Sequence, residues 1–560
     1  MTYNILIGGS AGQGMDTISD FLEKFFRDKG FHVFSNKDYM SRVRGGNNFT
    51  QIRFGDEKLF NHAYELDLIL ALDKNTVDYN SDRLKANGKI IVDEGTTTEE
   101  DSRIIKLPLL ETAKAVGLNR AFGMVAAGVI IKFYGLSLEG VEKLIPKKFN
   151  EEVKRVNLES ISKGYDLIET NQKLSEGKYK NNILVDGNTA IALGAMAGGL
   201  AFYCAYPMTP ATSVMTYLSK KQVEAGMVVE QVEDEIAAIN MAIGASYAGV
   251  RAMTGSSGGG FSLMVEALGL AGITETPLVV VDSQRPGPAT GLPTRTEQSD
   301  LSFLLTASHG EFPRMVMSVR NAEDAFKQAF RALNIAEKYQ TLVLLLTDQY
   351  LADSKVTVRK FDLEKLKIEH NVADSEILEP GEEYKRYKLT ENGISPRLIP
   401  GKVDGQVVLV DSDEHTEYAH ITEAGEVRNQ QMEKRMKKLE LMKLEIEEPE
   451  YFGAEKPEIL LVGWGSTYGA LKEATEGLGE EGHAIGALSF GDLFPLPQKL
   501  FDKYSKIAKT IINVEQNFTG QLGKLITQET GRKMDKSILK YDGRQINAEE
   551  IVSKLKSEVF

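Results

Sequence analysis

One cysteine, Cys204, stands among 560 residues. No disulfide can close within the chain, and no iron–sulfur cluster can be held by four of its own cysteines. No run of about 18 uncharged apolar residues occurs, so no transmembrane helix is expected. The opening MTYNILIGG has neither a basic segment nor a cleavage site and passes straight into a strand pattern, so no signal peptide is expected. A reducing, cytoplasmic setting follows from these readings. Long basic runs are missing too. With a net charge of -14 at pH 7, nucleic acid is a poor partner, and the acidity serves chiefly solubility.

What is present suits a soluble α/β protein of about three to five domains. Residues 3–8, YNILIG, read as a buried strand, followed by the glycine-rich turn GGSAGQG and an amphipathic stretch from Asp16 to Lys29. Strand and helix patterns alternate to about Phe149, the rhythm of an α/β domain with a parallel sheet. Residues 1–150 are taken as a Rossmann-like first domain and 151–182 as a polar linker carrying one helix. A second α/β domain spans 183–370, with strands at LAFYCAY, VRAMTG, TPLVVVDS and YQTLVLLLTD. Residues 371–456 are highly charged and read as a connecting excursion with little core of its own. A third α/β unit covers 457–560.

Four segments could carry chemistry. GGSAGQG sits between a strand and a helix, where backbone N–H groups and the helix dipole can hold phosphate. Its glycines Gly9, Gly12 and Gly14 are spaced G-x-x-G-x-G, not as the dinucleotide fingerprint G-x-G-x-x-G, and a tight turn without ligand is the ordinary alternative. SRVRGGNNF adds Arg42 and Arg44, guanidiniums suited to phosphate or simply to solvent. In AYPMTPATSV, Pro207 and Pro210 stiffen a loop after an apolar strand and present Thr209 at the strand end, where open parallel sheets bind ligands. A proline-started helix is the plainer reading. Acids cluster at Glu230, Glu233, Asp234 and Glu235 before an Ala- and Gly-rich helix, an arrangement the helix dipole alone explains for most of them. Finally, Arg285 ends an apolar strand and Arg295 lies in the loop beyond; either could clamp a small carboxylate or form a structural ion pair.

Taken in order, GGSAGQG with SRVRGGNNF, YPMTP, EDEIAAINMAIGASYAG, TGSSGGG, RPGPATGLPTRTEQSDL, SPRLIPG, DEHTEYAHITEAGEVRNQQMEKRMKK and EQNFTGQL resemble the 2-oxoacid:ferredoxin oxidoreductase family across most of the chain. The ordered set is specific where single motifs are not. The chain resembles a fused γ–α subunit: an N-terminal γ domain, a thiamine pyrimidine-binding domain and a transketolase C-terminal-like domain, the last a mainly structural piece. The resemblance places Thr209 and Arg285 on the substrate, with Arg295 in reserve, and Glu235 on the aminopyrimidine of thiamine diphosphate, bordered by Tyr206, Pro207, Thr254 and Gly255. It associates the γ domain, hence Gly9, Gly12, Gly14, Arg42 and Arg44, with coenzyme A. Met208 replaces the family's usual isoleucine, a volume-tolerant exchange.

The family's Gly-Asp-Gly motif, which holds magnesium and the diphosphate, does not occur; VDGN, VDGQ and YDGR come nearest. The resemblance therefore implies a separate β subunit carrying that motif, the magnesium and a 4Fe–4S cluster, with no metal held by this chain. The implied reaction is oxidative decarboxylation of a 2-oxoacid with coenzyme A to acyl-CoA and carbon dioxide, electrons passing to ferredoxin. Pyruvate, 2-oxoglutarate and branched-chain 2-oxoacids share the same carboxylate and ketone, so the substrate is not legible, nor is the assembly. Two other readings stay open: a subunit of a non-redox thiamine-diphosphate enzyme, and a non-enzymatic nucleotide-binding or scaffold protein built on the N-terminal loop.

Overall fold

The computed structural model describes every residue except 42–44, 118–120 and 379–380. Contacts divide the chain into two compact units, Met1–Val185 with Asp353–Lys360, and Asp186–Ala352 with Phe361–Phe560. Among the described residues, no helix is long and apolar enough to cross a membrane.

The first unit is built on an eight-stranded sheet in the order Ile104–Leu107, Leu84–Asp93, Leu66–Ala71, Thr2–Ala11, Gly45–Gly55, His32–Asp38, Lys355–Val358 and Ile183–Asp186. The expected parallel pairing holds for Thr2–Ala11 with Leu66–Ala71 and outward from there. Gly45–Gly55, however, runs antiparallel to both Thr2–Ala11 and His32–Asp38, so the sheet is mixed. The helix Met15–Asp28 buries Ile18, Leu22, Phe25 and Phe26, one stripe at helical spacing. Phe26 stacks on Phe54 of the sheet at 3.8 Å between ring centroids.

Two domain boundaries move. The segment 151–182 is not a linker. Its helix Glu151–Tyr165 packs on Phe122–Phe133 so closely that a Cβ at Gly164 would stand 1.9 Å from the Val125 carbonyl, and one at Gly128 would stand 2.1 Å from that of Ile161. Gly164 and Ser160 share its buried face with Val156 and Ile161, a short apolar set within an otherwise polar stretch. The second departure is Lys355–Val358. It adds a strand to the first sheet, with Lys355 opposite Ser35, rather than continuing the second domain to residue 370.

The second unit holds two sheets. The larger runs Asp492–Phe494, Arg314–Ser318, Leu342–Asp348, Leu278–Gln284, Ala252–Ser256, Phe202–Ala205 and Val228–Gln231. All its neighbours are parallel except the first pair. The smaller runs Glu450–Gly453, Ile485–Phe490, Ile459–Trp464, Thr510–Glu515 and Lys536–Leu539. One apolar core, including Val280 and Leu346 from the first and Trp464 and Phe490 from the second, with Phe261 and Leu522 from neighbouring helices, joins them.

Residues 371–456 contribute an apolar cluster around Tyr384, Leu398 and Val408. Charge anchors them as well. The helix Gly425–Met442 buries Lys434, Arg435 and Lys438. Lys434 donates to Glu275 Oε1 at 2.6 Å, and Lys438 pairs with the other oxygen of the same carboxylate. Arg386 donates to the carbonyl of Glu275 at 2.7 Å. Burial alone would raise the Glu275 carboxyl; the cations around it outweigh burial and hold it far below the usual carboxylate range. Burial pulls Lys434 down to about 8, against the attraction of Glu275.

Removing one partner of a buried ion pair costs about 3–5 kcal/mol, because the charge left behind stays buried. Glu275→Gln, which keeps the shape and leaves both lysines without a counter-ion, is therefore expected to lower unfolding free energy by about that amount in urea titrations. Replacing Glu275, Lys434 and Lys438 together by methionine should recover most of the loss. A single variant within about 1 kcal/mol of wild type would show that the triad does not anchor the segment.

Candidate active site

Four neighbouring parallel strands, Val228–Gln231, Phe202–Ala205, Ala252–Ser256 and Leu278–Gln284, end at one edge of the large sheet. The C-terminal edge of an open parallel sheet is where the connecting loops converge and ligands bind. Thr209, Glu235, Gly258 and Arg285 all follow these strand ends within a few residues.

The loop after Phe202–Ala205 carries Tyr206, Pro207 and Thr209. Tyr206 and Thr209 are exposed, and Pro207 is half-buried. Buried Asn188 fixes the far end of the loop, donating at 2.8 Å both to the carbonyl of Pro210 and to Ser213 Oγ. Arg285, half-buried at the end of its strand, reaches past the strand between them and donates from Nη1 to the Thr209 carbonyl at 2.8 Å. Partial burial lowers the Arg285 guanidinium's proton affinity somewhat, and it remains a cation. The two proposed substrate residues thus meet through a backbone contact, with the remaining guanidinium donors and the Thr209 hydroxyl directed by a fixed frame.

Glu235 opens the helix Glu235–Tyr247, capped by Asp234, whose carboxylate accepts from Ala237 N at 2.7 Å. Glu235 is 4% exposed. Its Oε1 lies 3.5 Å from Ser256 Oγ and 2.4 Å from where a Cβ on Gly260 would be. Gly260 is in the first turn of the helix Gly258–Ile273, so the carboxylate sits in a cradle that only glycine leaves open, at a helix end that favours anions. Thr254 and Gly255 lie buried in the adjoining strand Ala252–Ser256, and the hydroxyls of Thr254 and Ser257 have no protein partner. A buried carboxylate beside unpartnered hydroxyls is a donor set that fits the polar aminopyrimidine end of thiamine diphosphate.

Sequence reasoning passed over a second group of acids at this edge. Asp282, in the strand Leu278–Gln284, is completely buried. Asp300 comes from the loop beyond Arg285 and stands 2.5 Å from where a Cβ on Gly258 would be. Burial, then the charge of Asp300, pushes half-buried Glu297 up to about 7. The available signal was a lone aspartate inside the apolar run LVVVDS.

The loop 294–302 is held from the C-terminal part of the chain. Gln298 N donates to the carbonyl of Gln516 at 2.7 Å, and Gln298 Oε1 accepts from Gln516 N at 3.1 Å. Asn517 donates to the Gln298 carbonyl, and Gln521 to that of Ser299. Thr296 N donates to the carbonyl of Gly543, and Arg295 packs against that same glycine.

In the first unit, the glycine turn borders a separate cleft of about 460 Å³ whose lining includes Gly12, Gly14, Asp16, Lys37, Tyr39 and Asp353. Gly12 and Gly14 take positive φ of 94° and 86°, as a turn here requires. Gly9 lies within the strand Thr2–Ala11. Arg42 and Arg44 fall outside the described residues.

Comparison with known proteins agrees along the whole chain. Three family models match: pyruvate ferredoxin/flavodoxin oxidoreductase over residues 4–167, the thiamine-diphosphate-binding pyruvate flavodoxin/ferredoxin oxidoreductase model over 193–435, and pyruvate:ferredoxin oxidoreductase core domain II over 457–551. The 2-oxoacid:ferredoxin oxidoreductase subunit alpha of Sulfolobus sp is 34% identical, covering 98% of this chain and 96% of its own. The 2-oxoglutarate oxidoreductase subunit KorA of Mycobacterium tuberculosis is 29% identical over 98% of this chain and 90% of its own. A solved 2-oxoglutarate:ferredoxin oxidoreductase from Magnetococcus marinus, with 2-oxoglutarate, coenzyme A and succinyl-CoA bound, superposes with a TM-score of 0.93 at 33% identity, covering 100% of both chains. The chain belongs to the 2-oxoacid:ferredoxin oxidoreductase family, as an alpha subunit.

Proposed function

We propose that this alpha subunit provides the substrate clamp and the cofactor-activating carboxylate for oxidative decarboxylation of a 2-oxoacid, with coenzyme A as acyl acceptor and ferredoxin as electron acceptor. The observation that carries this reading is the Arg285–Thr209 contact across two strand ends, 2.8 Å long, beside the buried carboxylate of Glu235. Thiamine diphosphate, when bound, supplies the carbon nucleophile and the electron sink for loss of carbon dioxide. Arg285 orients the substrate carboxylate with its fork of donors, and the Thr209 hydroxyl hydrogen-bonds the same small molecule. Glu235 holds and releases a proton toward the aminopyrimidine ring, with Tyr206, Pro207, Thr254 and Gly255 bordering it.

We assign magnesium, the diphosphate anchor and the iron–sulfur cluster to a partner β subunit, because this sequence has no Gly-Asp-Gly and one cysteine. The Magnetococcus structure supports 2-oxoglutarate as the first substrate to assay. The glycine-turn cleft, with Arg42 and Arg44 near it in sequence, is our candidate for coenzyme A; Arg295 is the reserve for the substrate clamp. A non-redox role would be favoured by a partner lacking cluster cysteines.

A charge-assisted hydrogen bond contributes about 1.5–3 kcal/mol net, and about 1.4 kcal/mol is tenfold in rate. Arg285→Ala is therefore expected to lower kcat/KM for the 2-oxoacid by roughly ten- to a hundredfold in the reconstituted complex. Arg285→Lys should recover part of it, since a point charge lacks the fork. Near-wild-type activity of Arg285→Ala with loss in Arg295→Ala would transfer the clamp to Arg295.

Glu235→Gln is expected to abolish hydrogen–deuterium exchange at C2 of the bound cofactor while the subunits stay assembled. Gly260→Ala should mimic it, because the added methyl takes the carboxylate's space. Unchanged exchange in Glu235→Gln would move the role to Glu230 or Glu233.

A further inference from the structure

Asp282 and Asp300 meet at one strand end: Asp300 N donates to Gln284 Oε1 at 3.0 Å, the Asp300 carboxylate lies against Gly258, two residues beyond the register partner of Asp282, and each carboxyl group is a hydrogen-bonding neighbour of the other. Neither oxygen of Asp282, nor Oδ2 of Asp300, meets an N–H or O–H of the protein. Two ionised carboxylates in that position repel, and among the described residues no cation is an influence on either: those on Asp282 are burial and Asp300, and those on Asp300 are burial and Asp282. The one cation described at this edge, Arg285, spends Nη1 on the Thr209 carbonyl and has no carboxylate among the influences on it; the remaining charged groups are acids. Glu297 lies in the same loop and Glu235 at the same helix end, while Asp348 ends the neighbouring strand opposite Gln284. A proton between the two aspartates makes the contact attractive.

We infer that Asp282 is a protonated acid that donates to the Asp300 carboxylate, and that this acid–carboxylate bond is a positioning latch for the substrate loop 285–300. The proton belongs on Asp282 for two reasons. Asp282 is completely buried in the strand, whereas Asp300 lies against the first turn of Gly258–Ile273, where the helix dipole favours the anion. Thr254, on the same sheet face as Ser256 and Asp282, turns a further unpartnered buried hydroxyl into this region.

The latch closes a short circuit of structure. Arg285 begins the loop three residues after Asp282, and Asp300 ends it. Asp300 N also donates to Gln284 Oε1 at 3.0 Å, so both ends of the loop are tied to one strand end. Ser256, register partner of Asp282, is the hydroxyl nearest Glu235. Loss of the latch frees the loop end that faces the helix on which Glu235 rests.

Burial raises both groups above their ordinary value of 3.8, Asp300 to about 6 and Asp282 well above the ordinary carboxylate range. A group whose folded value is raised holds more protons in the folded state, so its stabilisation is complete below the unfolded value and is lost as pH rises through the folded one. Wild-type stability should therefore fall as pH rises through about 6 and beyond. Asp282→Asn, which keeps a donor and cannot ionise, should flatten that decline.

The deciding measurement is the infrared difference spectrum of the full chain, wild type minus Asp282→Asn, at pH 8. A protonated-carboxyl C=O band is expected. Kinetics in the reconstituted complex provide the second arm: Asp282→Ala should raise KM for the 2-oxoacid at least tenfold, and Asp282→Asn should restore most of it. This kinetic arm rests on the roles proposed for Arg285 and Glu235; the infrared and stability arms do not. Absence of the band, or an undiminished pH dependence in Asp282→Asn, would overturn the latch. A band present with KM unmoved in Asp282→Ala would leave the shared proton and overturn its positioning role. Should Asp282→Ala fail to fold, Asp300→Asn takes its place in the kinetic arm, since it removes the acceptor charge.

Discussion

Two carboxylates occupy the space that side chains at positions 258 and 260 would fill. Glu235 arrives from one strand-to-helix connection and Asp300 from another, and both press on the first turn of Gly258–Ile273. Only a run of glycines allows this. The partial positive charge of a first helical turn, about half an elementary charge, favours one anion. It does not favour three. With Asp282 buried at the same strand end and the Arg285 guanidinium engaged by the Thr209 carbonyl, the proton proposed on Asp282 removes one of these charges.

The charged segment 371–456 meets the same difficulty with the opposite chemistry. Glu275 is as deeply buried as Asp282, yet its carboxylate is held ionised because Lys434 and Lys438 take one oxygen each and Arg386 covers the adjoining carbonyls. The helix Gly425–Met442 therefore shows no apolar stripe, although it is anchored: its buried face is basic. Burying ions in this way gains little over an apolar interface of the same shape, but it tolerates no loss of a single partner.

The contrast also explains what could be read from residues alone. Strands such as LVVVDS and LVLLLTD announce themselves as apolar runs, so the placing of Thr209, Glu235 and Arg285 just beyond strand ends could be read from spacing, whereas the roles proposed for them rest on the family resemblance. The strand Lys355–Val358 was not, because its four residues pair with a partner more than 300 positions away and carry no local signal of that choice. The helix Glu151–Tyr165 looked like a linker because its close glycine contact needs only a few apolar residues, Val156 and Ile161, among many charged ones. The antiparallel Gly45–Gly55 escaped for a related reason: strand direction is a property of connections, not of composition. Asp282 was invisible as chemistry, since one polar residue in an apolar strand becomes meaningful only when its partner, Asp300, is seen beside it.

The C-terminal domain takes a larger part than packing. Gln298, buried in the loop after Arg285, exchanges two hydrogen bonds with Gln516, gives a third to the carbonyl of Trp464 and receives a fourth from Asn517. Gln521 holds Ser299 from the next helix. Each such bond is worth about 0.5–1.5 kcal/mol net, while fixing one residue's backbone costs about 1–2 kcal/mol. One bond per residue thus roughly offsets the ordering of this loop, and several concentrated on 296–299 hold it fixed. An arginine proposed to clamp substrate is useful only if its guanidinium returns to the same place at every turnover. Arg285 is tethered at its own end by the Thr209 carbonyl, and the loop it begins is pinned at the other by a domain from the far end of the sequence. That mutual bracing gives the fused C-terminal domain a direct stake in the geometry of the active site.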